Sequence, residues 1–347
     1  MVKLRALCLV VQLVAGVTPW PLPAFSQAGN PAGSSPAAEA ERLLDAGRLE
    51  EALKALDGLA LQQPEPAGVE RMRGMAYYEQ GQIQLSAAAF ERALAQDPAD
   101  REATQMEGVV LFRMGKPAAA VPLLEKAHLS IARTNIDSNY VLGLCYLDTR
   151  RYDDARTAFA TQYNFPPDSP SAYLLAARMM LRRDYLPVAD SFAQKALALN
   201  PNLPMAHLLI GQIRLSQSHL AEAIAEFNRE SELNPLYGEV YDRLGDTYLR
   251  QGDYGKAQEA LDRAVLLEPN SAVPYVLLGK VLLKQQDPVV AKMYLDKALV
   301  LDPGNYTAHT LLGQAYRSLG QSARASHEFQ VAEQLQADAQ PKLETVK

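Results

Sequence analysis

Apolar and polar residues alternate along this chain in blocks of two helices rather than in one continuous pattern. Within each block, apolar residues fall at positions 4, 7 and 11 and then again at 20, 24 and 27. That i, i+3, i+4 spacing predicts two separate amphipathic helices. The frame is set by prolines that end the apolar runs: Pro64, Pro98, Pro167, Pro201, Pro235, Pro269 and Pro303. Their spacings are 34, 69, 34, 34, 34 and 34. Ala132 stands where the missing proline would be, and one extra residue enters near Asn135.

With each proline taken as position 32, nine copies agree at several positions. Position 8 is Ala40, Gly74, Gly108, Gly143, Ala177, Gly211, Gly245, Gly279 and Gly313. Position 20 is equally small throughout, from Ala52 and Ser86 to Ala325, whereas position 24 is large in every unit but one: Leu56, Phe90, Leu124, Phe159, Ala193, Phe227, Leu261, Leu295 and Phe329. Small residues at 8 and 20 predict close approach of the two helices. Glycines near position 15 (Gly47, Gly81, Gly115, Gly252, Gly320) mark the turn, and Asp-Pro or Asn-Pro at 31 and 32 ends the second helix. A lone hairpin cannot bury both faces, so neighbouring units must stack.

Read in this frame, LGDTYLRQGDYGKAQEALDRAVLLEP resembles a tetratricopeptide repeat. Nine such units tile the chain at 33–66, 67–100, 101–134, 136–169, 170–203, 204–237, 238–271, 272–305 and 306–339. The resemblance implies an all-α fold, a right-handed superhelical solenoid whose first helices line a concave groove used for peptide or protein partners.

Two units break the apolar pattern at facing places. Position 27 is Gln162 in the fourth and Glu230 in the sixth, and position 4 in the same units is Asn139 and His207. An unpaired buried polar group costs roughly 1–3 kcal/mol, which predicts Asn139–Gln162 and His207–Glu230 hydrogen bonds. Arg214, at a usually aromatic position 11, shows no partner in the sequence. Asp253 follows the seventh unit's turn and is expected to cap its second helix.

The termini add a direction of travel. Lys3 and Arg5 precede an apolar run from Ala6 to Val17, and small residues follow at Ser26 and Ala28, the shape of a secretory signal with cleavage expected after Ala28. Twelve residues at about 1.5 Å each fall short of the roughly 30 Å hydrocarbon core, so no transmembrane span is expected. Residues 1–28 are therefore read as a signal peptide, 29–35 as a Gly/Pro/Ser-rich lead-in and 340–347 as a tail, for a periplasmic or secreted chain. Retention in the cytoplasm is the reading if the N-terminus is not cleaved. Removal of the signal takes Cys8 and leaves Cys145 alone, so no internal disulfide is expected. The formal charge of −6 argues against nucleic acid as a partner.

No constellation of catalytic or metal-ligating residues rises above background. The five histidines form no HExxH pair, Asp/Gly stretches such as DPGNY lack the calcium-loop pattern, and P-loop, GxGxxG and GxSxG motifs are absent. Cys145 lies in the apolar stretch VLGLCYL and is expected to be a core thiol. No catalytic residue, cofactor or metal is expected.

The resemblance also implies that positions 2, 5, 9, 12 and 13 face the groove. Those positions supply an apolar stretch of Met75, Val109, Tyr140, Leu144 and Leu174. Basic Arg178, Arg182, Arg250, Lys280 and Lys284 follow, with acidic Glu239, Asp242 and Asp246 and neutral Gln212 and Gln314. Such a lining suits a peptide with an apolar end and mixed charge. The clamp subfamily that grips carboxylate tails uses Lys and Asn in this helix, but no position 9 here is Asn, so that partner is not expected. The expected function is a non-enzymatic scaffold or adaptor for protein partners in the bacterial envelope. The alternative is a regulatory or substrate-presenting subunit acting in trans for an envelope enzyme such as a polysaccharide synthase or glycosyltransferase. The final unit lacks a separate capping helix, and self-association through that end is a further expectation.

Overall fold

The computed structural model describes residues 35–127 and 138–339. The signal segment, the lead-in before Ser35, the inserted residue near Asn135 and the tail lie outside the described residues. Helices come in successive pairs: α1 (Pro36–Asp45) with α2 (Leu49–Ala60), α3 (Val69–Glu79) with α4 (Ile83–Gln96), and α5 (Arg101–Arg113) with α6 (Pro117–Ala127). The series continues as α7 (Ser138–Asp148) with α8 (Tyr152–Gln162), α9 (Pro170–Arg182) with α10 (Leu186–Leu199), and α11 (Ala206–Ser216) with α12 (Leu220–Leu233). It ends with α13 (Gly238–Gln251) and α14 (Tyr254–Leu267), α15 (Ala272–Lys284) and α16 (Pro288–Leu301), and α17 (Tyr306–Ser318) and α18 (Ser322–Ala339). Among the described residues there are no strands, and the architecture is an all-α solenoid.

Among the described residues, seven hairpins are closed by the same contact of a glycine on a large side chain. An ideal Cβ placed on Gly211 would lie 2.4 Å from the Phe227 ring, and one on Gly245 would lie 2.4 Å from Leu261. Position 8 must therefore be small because position 24 is large. The fifth unit meets the same constraint differently, with Ala177 and Ala193 both fully buried. Fully buried Phe90, Phe159 and Phe227 show how much apolar surface each copy of this contact removes from water.

The turn at position 15 needs a left-handed residue in every pair. Gly252 has φ 89° and Gly320 φ 75°, but Arg150, Asp184, Ser218 and Gln286 take the same conformation at 61°, 61°, 62° and 63°. A side chain in that region costs roughly 1–2 kcal/mol, partly offset by the extra unfolded-state entropy of glycine, about 0.5–1 kcal/mol. Gln286→Gly is expected to stabilise the chain by roughly 0.5–1 kcal/mol, read as a higher urea midpoint. A lower midpoint would refute this account of the turn.

Successive pairs stack unevenly. First helices touch the next first helix along the chain, as α1 on α3, α3 on α5, α9 on α11, α11 on α13, α13 on α15 and α15 on α17. Among the described residues, no two second helices pack on each other to a comparable extent. Helices that reach past their own partner to each other lie on the inside of the curve, so the first helices form the concave face.

Two polar pairings differ from expectation. His207 Nδ1 lies 2.6 Å from Glu226 Oε2, not against Glu230. Glu230 instead accepts from the backbone N–H groups of Met205 (2.8 Å) and Leu208 (3.2 Å). The start of α11 has orphan donors and no side-chain cap of its own, and those donors claim the buried carboxylate. The ninth unit repeats the histidine contact, with His309 Nδ1 2.6 Å from Glu328 Oε2. Gln162 Oε1 accepts no hydrogen bond from Asn139, nor does Asn139 Oδ1 accept one from Gln162, so the expected amide pair is not made. The α8 helix ends at Gln162, where Asn164 turns the chain at φ 57°, whereas α10, α12, α14 and α16 run three residues longer. Arg214 does have partners: Asp190 at 3.1 Å on α10 and Glu222 at 3.1 Å on α12. Asp253 caps α14 by accepting from the Lys256 N–H at 3.2 Å.

Candidate binding groove

Positions 2, 5, 9 and 13 fall on the first helices, so the residues singled out in the sequence lie along one side of the solenoid, but not all can meet a ligand. Val109 is 2 % exposed and belongs to the core with Ala120, Leu124 and Leu142, because α7 packs over it. It is not a groove residue. Met75, Tyr140, Leu144 and Leu174 are half-buried and lean on the core beneath, Tyr140 with its ring centroid 5.9 Å from that of Phe159. Arg178, Arg182, Arg250, Lys280 and Lys284 are exposed, and Gln212 and Gln314 are half-buried.

The polar half forms a hydrogen-bonded network across two first helices. Gln212 Nε2 on α11 donates to Glu239 Oε1 on α13 at 3.3 Å. Tyr237 Oη donates to Glu239 Oε2 at 2.7 Å, and Arg243 Nη2 donates to Oε1 at 3.0 Å. Burial works to raise the Glu239 pKa, but those two hydrogen bonds and the nearby Arg178 charge outweigh it and hold the carboxyl below its ordinary range. Burial together with Glu239 pushes the Tyr237 phenol up to about 12. Two helical turns beyond Glu239, Asp246 is held by Arg250 at 2.8 Å.

Asp242 lies between these pairs and has no such support. It is 8 % exposed, and its Oδ1 has no hydrogen-bond partner. Burial and the facing Glu268 carboxylate push its pKa up to about 7, against a smaller opposing pull from Arg243. Glu268, at the end of α14, lies over Gly238, where an ideal Cβ would meet its Oε1 at 2.5 Å. Together with Asp246, Val273 and Leu277 these residues line a half-open recess of about 580 Å³. Of the sequence-selected residues, Glu239, Asp242 and Asp246 converge here. Tyr237 and Glu268 escaped notice because positions 34 and 31 of a unit come into range only when the next unit stacks; Arg243 and Leu277 stand at position 6, outside the positions expected to face the groove, and Val273 was passed over although it shares position 2 with Glu239.

Cys145 is fully buried, and burial pushes its thiol up to about 12, far from thiolate reactivity. Among the described residues, no three His, Cys, Asp or Glu side chains are grouped to hold a metal ion. No described helix is long and apolar enough to cross a membrane.

The stacked-hairpin geometry agrees with family comparison. Tetratricopeptide-repeat models match residues 37–101, 140–204, 238–271 and 294–325. The chain is a tetratricopeptide-repeat (TPR) protein. A model described as anaphase-promoting complex, cyclosome, subunit 3 also matches residues 79–162 of this TPR protein. Among solved structures, a MamA fragment from Desulfovibrio magneticus RS-1 is 21% identical, with a TM-score of 0.46, covering 50% of this chain and 98% of that one. YrrB, described as a TPR protein with an unusual peptide-binding site, is 21% identical with a TM-score of 0.44, covering 54% and 95%. A chain of the Cut9–Hcn1 complex is 18% identical with a TM-score of 0.44, covering 81% of the TPR protein and 55% of its own length. These likenesses concern the fold. No curated protein sequence matches the chain.

Proposed function

We propose that this TPR protein is a non-enzymatic scaffold that binds segments of other proteins along its concave face, in the envelope of a bacterium. The observation that carries the reading is the concave face itself. Exposed Arg178, Arg182, Lys280 and Lys284 flank a recess whose carboxylates sit beside Val273, which is 53% exposed. Mixed charge beside open apolar surface on the inside of a solenoid suits an extended peptide held at several points.

A photo-cross-linking residue at Lys280 in the native host is expected to trap discrete partners. The same residue at convex, 74% exposed Leu266 is expected to trap none of them. Equal trapping from both places, or none from Lys280, would overturn the groove reading. The envelope assignment rests on the N-terminal segment and is checked separately by the mass of the native protein. Loss of about the first 28 residues is expected, and an intact N-terminus would end the export argument.

A further inference from the structure

We propose that the recess between α13 and α15 receives the cationic end of a lysine or arginine side chain carried by the partner segment. This rests on the groove reading above and names the chemistry of one of its contacts. Four carboxylates, Glu239, Asp242, Asp246 and Glu268, line the recess against one guanidinium, Arg243. The lining is therefore strongly acidic: Arg243 holds Glu239 at 3.0 Å and keeps its buried Nε unpaired, and Arg250, outside the lining, holds Asp246 at 2.8 Å.

Independent of the charge count, Asp242 Oδ1 is buried and unpartnered inside the recess, in a residue only 8 % exposed. A buried acceptor without a donor is costly, and such groups persist where something else supplies the donor. The carboxylates are not grouped for a metal ion. An N–H donor on a long flexible stem fits better, because Val273, Leu277 and the Tyr237 ring offer apolar surface to the methylenes while the head reaches Asp242. The recess adjoins the Gln212–Glu239 link, which leads toward Arg178 along the same face, so the donor arrives as one side chain of a bound peptide.

The test uses the chain without its first 28 residues and four dye-labelled, end-capped heptapeptides, Leu-Ser-Leu-X-Leu-Ser-Leu. Here X is arginine, lysine, acetyl-lysine or glutamate, and binding is read by fluorescence anisotropy at pH 8. The arginine and lysine peptides are expected to bind at least about tenfold more tightly than the other two, and Asp242→Asn to erase that preference. The preference should also shrink at pH 5.5, where Asp242 is protonated among Glu239, Arg243, Asp246, Glu268 and Tyr237, with Arg178 beyond. Equal binding of all four peptides, or a preference that survives in Asp242→Asn, would overturn the cation recess and leave the groove standing. Absence of binding by all four would overturn it as well, and the Lys280 cross-link then decides whether the groove reading falls with it.

Discussion

Glu230→Ala is expected to destabilise the protein by about 3–5 kcal/mol, although alanine is the residue most units carry at this position. The cost comes from what the carboxylate holds. Glu230 is fully buried and accepts from the N–H groups of Met205 and Leu208 and from the Asn234 side-chain amide. Met205, the N-cap of α11, sits at φ 68° and provides no side-chain cap. Among the other first helices, α5, α9 and α17 carry their own in Asp100, Ser169 and Asn305, whereas α3, α13 and α15 have no side-chain cap either. The alanine variant leaves buried backbone donors unpaired and removes a negative charge from a helix N-terminus. Glu230→Gln, which retains one acceptor oxygen, should lose roughly half as much. Urea unfolding measures the loss, and amide exchange should localise it to the first turn of α11. A loss under about 1 kcal/mol for the alanine variant would show that water replaces the carboxylate.

Glu230 also marks where sequence reading stops. The hairpin frame was legible because nine copies report the same geometry: small position 8 against large position 24 is a steric fact that any one copy would leave ambiguous. Capping at Asp253 was legible for the same local reason. The partner of Glu230 was not, because the choice lay between a facing side chain, His207, and backbone donors exposed by a missing cap two residues earlier. Position 23 carried a usable signal. His and Glu recur together at positions 4 and 23 in two units, His207 with Glu226 and His309 with Glu328. The groove was legible as a set of positions but not as a surface. Val109 shares its register with Arg178 and Asp246, and only the packing of the next unit decides which of them stays accessible. Glu268 joins the recess for a related reason, since it ends one unit and faces the helices of two.

Asp242→Asn should have the opposite sign, and its effect should depend on pH. An unfolded aspartate titrates near 3.8, and in the fold burial and Glu268 push Asp242 up to about 7. Between those values the folded chain holds a proton that the unfolded chain has released, so stability falls as pH rises. Below the lower value the two states bind the proton alike and nothing is lost. Above the upper value the full cost of keeping a desolvated carboxylate beside Glu239, Asp246 and Glu268 is in force, offset only in part by Arg243. A shift of about 3 units corresponds to an upper bound of about 4 kcal/mol. The asparagine variant removes the charge while keeping the shape. Its stability relative to the wild type should therefore be near zero at pH 4, grow through pH 5 and 6, and level off above pH 8 at a gain of a few kcal/mol. Paired urea titrations across that range measure the difference, in which the other titrating groups largely cancel. A difference that is flat with pH would mean that Asp242 is solvated and ordinary, and would remove the unpaired acceptor on which the recess depends. A gain that appears only at high pH, in a variant that no longer discriminates arginine from acetyl-lysine peptides, would identify a residue kept at the expense of stability for the contact it makes.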